Sequence, residues 1–306
     1  MKKRFLVTGA GGLIGANLAL HLEAQGHEVH ALDHFAVGTR DNLAAFRGVV
    51  HAGDIRDFDY APLGRLDGIF HQAAITDTTV MDEKLMRSVN VEAFVRLLEF
   101  ARISGCPKVV YASSAATYGK GPPPHREDTP PQPANIYGVS KAEMEVAARR
   151  FTDTHPAVKA VGLRYFNVYG PLEFHKQSAA SMVYQLYRQI ASGKGPRVFK
   201  WGEQYRDFIY VKDVVAANEA SYQHPDNGVF NVGTGRGTTF NEVIGWINKA
   251  FNRQLATEYF DNPYGFYQDA TQADTTRSST VLGWKAAHTP EAGVADYVAW
   301  LQSRNN

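Results

Sequence analysis

The sequence predicts an α/β fold in which helices cover both faces of a doubly wound parallel sheet, joined to a smaller mixed α/β lobe. Short apolar runs alternate with longer stretches of helical periodicity through the first half of the chain, and the second half is less regular. At 306 residues the chain is long enough for about two domains. We place the first domain at residues 1–168, with a return segment near 205–235, and an interleaved lobe at residues 169–306.

Each element follows from a local pattern. Residues 5–7 form an apolar run before a glycine cluster, and residues 13–26 then carry leucines at helical spacing, which predicts a strand, a tight turn and a helix. The other predicted strands are residues 28–32, 48–51, 68–71, 108–112 and 158–163. The other predicted helices are residues 83–101, 142–152, 179–191, 240–251 and 290–302.

Two segments show no regular pattern. Residues 121–133 contain six prolines, which predicts a loop that crosses the surface or an active site. Residues 164–178 are rich in aromatic side chains without periodicity. Neither segment is expected to form a long helix or strand.

The composition excludes several classes of protein. Lysine and arginine total 32 against 31 acidic residues, and this net charge of +1 offers no general attraction to nucleic acid or anionic lipid. A hydrophobic content of 44% excludes a disordered chain. Cys106 is the single cysteine and no Cys/His spacing resembles a zinc site, so we expect no disulfide and no metal. No apolar stretch reaches about 20 residues, and we expect a cytoplasmic protein that does not enter a membrane.

The glycine cluster is typical of a phosphate-binding turn. Gly9, Gly12 and Gly15 stand at three-residue spacing between the first predicted strand and helix. Gly9 permits the tight turn, Gly12 lets a pyrophosphate approach the backbone, and Gly15 lets the helix pack close to the sheet. Asp33 ends the second predicted strand, where a carboxylate can hold a ribose hydroxyl. This context predicts a Rossmann-type site for a nicotinamide dinucleotide.

The residues leave the choice between NAD and NADP open. Asp33 favours NAD because a 2′-phosphate would meet a fixed negative charge, whereas Arg40 could pair with such a phosphate. Asp54 and Ile55 follow the third predicted strand, where they could flank the adenine or form a solvated loop.

The strongest chemical signal is Tyr137 followed four residues later by Lys141. Positions four apart share one face of a helix, so both side chains can reach one pocket. A phenol normally has a pKa near 10, and we expect a neighbouring ammonium and a positive nicotinamide to lower it by favouring the phenolate. Ser114, at the end of a predicted strand, would bond the reacting oxygen and orient it for proton transfer.

Together these motifs resemble the extended short-chain dehydrogenase/reductase superfamily, which contains nucleotide-sugar epimerases, dehydratases and reductases. The resemblance covers nearly the whole chain. Further segments that fit it are residues 71–74, 90–91, 164–171, 206–213 and 230–233. The resemblance adds Gly11, Leu13, Ile14, His34, Gln72, Ala73, Ala74, Asn90 and Val168 to the implied cofactor-binding residues.

Within that superfamily the chain is similar to the ADP-glycero-manno-heptose 6-epimerases. The similarity rests on residues 111–119, 173–176, 267–274 and 299–301. It implies that Tyr137 is one acid/base, that Lys176 is a second one across the sugar, and that Lys141 holds the nicotinamide ribose. It also implies a nucleotide-sugar site, lined by Ser114, Asn167, Lys176, Ser178, Gln185, Phe199, Arg206 and Tyr267.

Some residues depart from that pattern or have a second explanation. His34 stands where the heptose epimerases have asparagine, the third-strand loop lacks a lysine, and Gln185 stands where histidine is common. Arg206 suits a sugar-nucleotide diphosphate, because a guanidinium binds phosphate in a fork, but it could instead pair with Asp207. Lys176 could likewise be a solvated loop lysine.

Three other functions are alternatives to a heptose 6-epimerase. A UDP-hexose 4-epimerase would use Tyr137 alone as the base. A 4,6-dehydratase is disfavoured because no Asp-Glu pair follows Ser114. A cofactor-binding regulatory protein is disfavoured by the intact Ser114, Tyr137 and Lys141. Because such relatives commonly self-associate, the resemblance also implies a homo-oligomer that binds a nucleotide sugar.

Overall fold

The computed structural model describes residues 1–262 and 270–304. The strands are β1 Arg4–Thr8, β2 Glu28–Asp33, β3 Val49–Ala52, β4 Gly68–His71, β5 Lys108–Ser114, β6 Lys159–Tyr165, β7 Asn167–Tyr169, β8 Arg197–Phe199, β9 Tyr205–Arg206, β10 Phe208–Tyr210, β11 Gly228–Val232, β12 Thr238–Thr239 and β13 Glu258–Phe260. The helices are α1 Leu13–Ala24, α2 Glu83–Arg87, α3 Ala93–Ser104, α4 Ile136–Thr154, α5 Met182–Ala191, α6 Val211–Gln223, α7 Phe240–Ala250, α8 Thr276–Thr280 and α9 Pro290–Arg304.

In the described ranges, seven strands form one sheet in the order β11-β6-β5-β4-β1-β2-β3, and every neighbouring pair is parallel. The strand order reverses between β1 and β4. In open parallel sheets a ligand binds at such a switch point, outside the carboxyl ends of the strands. The predicted fold class is therefore confirmed.

Two apolar clusters cover the two faces of the sheet. One joins α1 and α6 to the sheet and includes Leu18, Phe70 and Val214, all buried. The other joins α3 and α4 and includes Leu97 and Met144. A third cluster forms the lobe, where α5, α7 and α9 pack around β8 and β10. A site at the switch point would therefore lie between the sheet and the helical lobe.

Most predicted elements are present, with informative differences. The helix predicted at residues 83–101 is interrupted, because Ser88–Glu92 forms a π-turn between α2 and α3. The segment 164–178 contains the short strand β7 and a 3₁₀ helix, Phe174–Ala179, which aperiodic sequence does not reveal. Helix α6 was also missed. None of the described helices is long and apolar enough to cross a membrane.

Candidate active site

A cleft of about 1410 Å³ opens at the carboxyl ends of β1, β4, β5 and β6 and extends into the lobe. It is lined by residues from both halves of the chain. The predicted site residues among them are Leu13, Ile14, Gln72, Ala74, Ser114, Tyr137, Lys141, Asn167, Val168, Lys176, Gln185, Phe199 and Arg206. The volume of the cleft exceeds the roughly 300–1,000 Å³ of a typical ligand pocket.

The glycine turn has the geometry of a phosphate cradle. Gly9 has a φ of +65°, a backbone angle that residues other than glycine rarely adopt. A Cβ added at Gly15 would lie 2.1 Å from the carbonyl oxygen of Gly9, so only glycine allows α1 to start this close to the turn. Gly12 caps α1 without a side-chain hydrogen bond, which leaves the first N–H groups of the helix for a ligand. These features fit the pyrophosphate of a nicotinamide dinucleotide.

Asp33 fixes this turn from the end of β2. One carboxylate oxygen accepts a hydrogen bond from the amide of Gly11 at 2.9 Å, and the other accepts one from the amide of Phe35 at 2.7 Å. Each oxygen retains a lone pair that can accept a ribose hydroxyl. Arg40 lies close by, with its guanidinium 4.4 Å from the Phe35 ring centroid.

Tyr137 lies in the first turn of α4. Asn135 caps this helix by accepting a hydrogen bond from the amide of Gly138 at 2.8 Å. The phenol contacts Ser114 at the end of β5, and this hydrogen bond favours the phenolate. Burial nevertheless raises the pKa of Tyr137 above its usual value of 10. The expected lowering by the ammonium and a bound nicotinamide together stays a prediction.

Lys141 follows one turn later on the same helix face. Its ammonium donates a hydrogen bond to the carbonyl oxygen of Ala112 at 2.8 Å and lies 5.8 Å from the Tyr137 ring centroid. Burial lowers the pKa of Lys141 to about 7, and the negative charge of Glu145 opposes that change. The amine is thus anchored to the sheet beside the tyrosine.

Glu145 is a supporting residue that the sequence argument missed. It lies one turn beyond Lys141 and forms a buried ion pair with Arg164, at 2.7 Å. The same carboxylate accepts a hydrogen bond from the hydroxyl of Ser113 at 2.5 Å. The pair therefore fixes the end of β5 next to Ser114. The spacing Tyr137, Lys141, Glu145 on one helix face was a signal that could have identified it.

Lys176 reaches the same cleft from a different element, the 3₁₀ helix between β7 and α5. Burial lowers the pKa of its amine, while the charge of Glu173 acts in the opposite direction. Glu173 is itself fully buried. A buried amine with a lowered pKa is suited to proton transfer at neutral pH.

The structure places other predicted residues in structural contacts. Asn90 is fully buried, exchanges hydrogen bonds with the backbone of Ile75, and donates one to the hydroxyl of Ser140. It thus holds the loop after β4 against α4. Asp54 forms an ion pair with Arg56 at 2.6 Å. The predicted cofactor residues that do not line this cleft are Gly9, Gly11, Gly12, Gly15, Asp33, His34, Arg40, Asp54, Ile55, Ala73 and Asn90.

Arg206 lines the lobe side of the cleft and is mostly buried. The carboxylate of Asp207 accepts hydrogen bonds from the amides of Thr234, Gly235 and Ala273. The Asp207 carboxylate therefore joins the loop at residues 234–235 to the segment at Ala273. Tyr267 and the side chain of Ser178 lie outside the described part of the structure.

The lobe end of the cleft also holds polar residues that the sequence did not single out: Gln189, Lys194, Arg197, Gln204 and Glu258. They come from short, non-contiguous segments and carry no motif. The proline-rich loop 121–133 does not line this cleft. It borders a second groove, on the other side of α4.

Comparison with known proteins defines the class of the site. Residues 5–233 match the model of the NAD dependent epimerase/dehydratase family, and the chain belongs to that family. It is an NAD-dependent nucleotide-sugar epimerase of the extended short-chain dehydrogenase/reductase type. The predicted family and enzyme class are confirmed.

Three solved structures illustrate this similarity. ADP-L-glycero-D-manno-heptose-6-epimerase from Helicobacter pylori is 36% identical, with a TM-score of 0.91 over 99% of this chain and 97% of that chain. UDP-glucose 4-epimerase from Thermotoga maritima, with UDP-glucose, is 28% identical, with a TM-score of 0.91 over 99% and 100%. UDP-glucuronic acid 4-epimerase from Bacillus cereus, with UDP-glucuronic acid and NAD, is 26% identical, with a TM-score of 0.85 over 97% and 99%.

Proposed function

We propose that the protein inverts C6″ of an ADP-linked glycero-manno-heptose, a step in the synthesis of lipopolysaccharide core precursors. The observation that carries this proposal is the presence of Lys176 and Tyr137 in one cleft on separate elements. Two acid/base groups on different elements can serve opposite faces of one carbon. The 36% identity with the heptose epimerase from Helicobacter pylori supports the same substrate.

The proposed reaction uses this chain's residues for proton transfer and binding. A bound nicotinamide would supply reversible hydride transfer at the sugar carbon, without net consumption. Tyr137 or Lys176 removes the proton from the sugar hydroxyl, and a transient ketone results. After the carbonyl turns in the cleft, the other group returns the proton on the opposite face. Ser114 orients the oxygen, and Arg206 binds the diphosphate.

We also propose NAD as the nucleotide. The Asp33 carboxylate holds the glycine turn, and its charge would repel a 2′-phosphate. The complex of the Bacillus cereus enzyme with NAD supports this choice. The choice of NAD is tested by denaturing the purified protein and measuring the mass of the released nucleotide by mass spectrometry. Release of NADP would contradict it and assign the phosphate to Arg40.

The test of the substrate is direct. The protein is incubated with ADP-D-glycero-D-manno-heptose and, separately, with UDP-galactose, and inversion at C6 and C4 is followed by NMR. Inversion of the heptose at C6 is the expected result. Activity only on UDP-galactose would contradict the heptose proposal.

The second candidate is UDP-hexose 4-epimerisation, which the 28% identity with the Thermotoga maritima enzyme favours. Replacing Lys176 with methionine distinguishes the two. On the heptose proposal Lys176→Met loses about 10²-fold or more in kcat, because one of two acid/base groups is absent. Unchanged turnover would leave Tyr137 as the one base. The homo-oligomer remains a prediction, to be measured by sedimentation.

A further inference from the structure

The segment that carries Lys176 is closed by one buried carboxylate. Residues 170–181 leave β7 and return to α5. One oxygen of Glu173 accepts hydrogen bonds from the amide of Gly170 at 3.1 Å and from the hydroxyl of Ser181 at 2.8 Å. The other oxygen accepts one from the amide of Ser181 at 2.7 Å. Both ends of the segment are therefore bound to the same side chain.

The start of the segment, at residues 171–172, is hydrogen-bonded to the dinucleotide side of the cleft. Asn17 of α1 donates a hydrogen bond to the carbonyl oxygen of Pro171 at 2.9 Å. Asn42 donates one to the carbonyl oxygen of Leu172 at 2.9 Å and another to that of Gly11, in the glycine turn. The start of the segment is thus held by side chains from outside it, whereas Glu173 links this start to the end of the segment at Ser181.

We propose that Glu173 is a positioning residue for Lys176: by closing residues 170–181 through Gly170 and Ser181, its carboxylate holds the Lys176 amine in the cleft. This inference rests on the proposed function, in which Lys176 is the second acid/base. The contact set explains why an acid stands here. A carboxylate has two acceptor oxygens: here one takes a donor from each end of the segment, and the other takes the Ser181 amide. A glutamine must turn its NH₂ toward one of these donors, which then loses its acceptor.

Charge supports this role. Burial lowers the pKa of Lys176, and the negative charge of the nearby Glu173 carboxylate opposes that change. Burial raises the pKa of Glu173 itself, and its hydrogen bonds favour the ionised form. Other titratable groups in this electrostatic environment include Tyr169, His175 and Tyr297.

The test is steady-state kinetics of Glu173→Gln on ADP-D-glycero-D-manno-heptose. We expect kcat to fall about 10²-fold while KM stays within about twofold, because a misplaced acid/base affects the chemical step rather than binding. In the Lys176→Met background the same substitution should cost nothing further, since its effect passes through that amine. The amount of bound nicotinamide nucleotide, measured by absorbance, shows whether the cofactor site is still assembled in each variant.

Asp213→Asn is the matched control. Asp213 is a buried carboxylate that accepts hydrogen bonds from the amides of Ala287 and His288, and it does not line the cleft. We expect it to lower the melting temperature with kcat unchanged. Ser181→Ala is the milder variant, which removes one of the three hydrogen bonds, and we expect a smaller loss of kcat. If Glu173→Gln does not fold, Ser181→Ala decides: wild-type kcat would overturn the inference.

The outcomes separate the two proposals. Wild-type kcat in Glu173→Gln, together with an inactive Lys176→Met, would overturn the role of Glu173 and leave the two-base function intact. An equal loss from Glu173→Gln in both backgrounds, or a rise in KM alone, would also overturn it. Full activity in Lys176→Met would instead remove the two-base function itself.

Discussion

Two lysines serve the cleft from structurally different regions. Lys141 lies on α4, a helix of 19 residues that packs against the sheet. Lys176 lies on a 3₁₀ helix of six residues between β7 and α5. Each has a glutamate nearby, but the largely buried Glu145 is paired with Arg164, whereas the fully buried Glu173 is bound by main-chain amides and a serine. The first region is ordered by its own helix, and the second by hydrogen bonds from Glu173 within the segment and from Asn17 and Asn42 outside it.

The largest expected effect is at the helical region. Tyr137→Phe removes the hydroxyl that exchanges a proton with the sugar, and we expect kcat to fall about 10³-fold with the nucleotide still bound. Turnover of ADP-heptose measures it. Tyr165→Phe is the matched control, because Tyr165 lines the same cleft and its hydroxyl bonds Gln72 and Asn218. A smaller loss from Tyr137→Phe than from the control would contradict the role of Tyr137.

The next effect concerns stability. Glu145→Gln leaves the buried guanidinium of Arg164 without its ionic partner, and we expect the free energy of unfolding to fall by about 3 kcal/mol. Urea denaturation measures it. Glu143→Gln is the control on the same helix, since its partner Arg87 is exposed and the pair contributes little. Equal losses in both variants would show that burial of the Glu145 pair has no special effect.

The sequence predicts more of the contacts around Lys141 than of those around Lys176. Helical spacing predicts that Tyr137 and Lys141 share a face, and the same spacing reaches Glu145. Nothing local predicts that Glu173 joins Gly170 to Ser181, because the loop between them has no periodicity. The π-turn at Ser88–Glu92 was missed for a related reason: its sequence continues the helical pattern on both sides.

The lobe was predicted least well. Its strands pair in twos, and β9 and β12 are two residues long, which is too short for alternation to be recognised. The polar residues at the lobe end of the cleft come from separate short segments that only the tertiary fold brings together. The glycine turn was predictable because its chemistry requires glycines at fixed spacing before a helix.

The buried amine of Lys141 should make stability depend on pH. Its pKa is lowered from 10.5 to about 7 in the folded protein, so between these values the unfolded chain binds more protons. The free energy of unfolding should therefore rise with pH, by up to about 1.4 kcal/mol per unit. Denaturation of the nucleotide-free protein between pH 7 and 10 measures this slope. In Lys141→Met the slope should be smaller, and parallel curves would contradict the lowered pKa.

The smallest expected effect is at the residues that cap the helices of the two regions. Asn135 caps α4 and Ser181 caps α5, each by accepting a hydrogen bond from a main-chain amide, so alanine at either position should cost about 1 kcal/mol of stability. Their effects on turnover should differ. Asn135→Ala should leave kcat within about twofold, because helix packing still holds Tyr137. Ser181→Ala also removes a hydrogen bond to Glu173, so its loss of kcat should exceed that of Asn135→Ala at equal loss of stability. Equal turnover in the two variants would mean that the Lys176 region is as self-supporting as the helix.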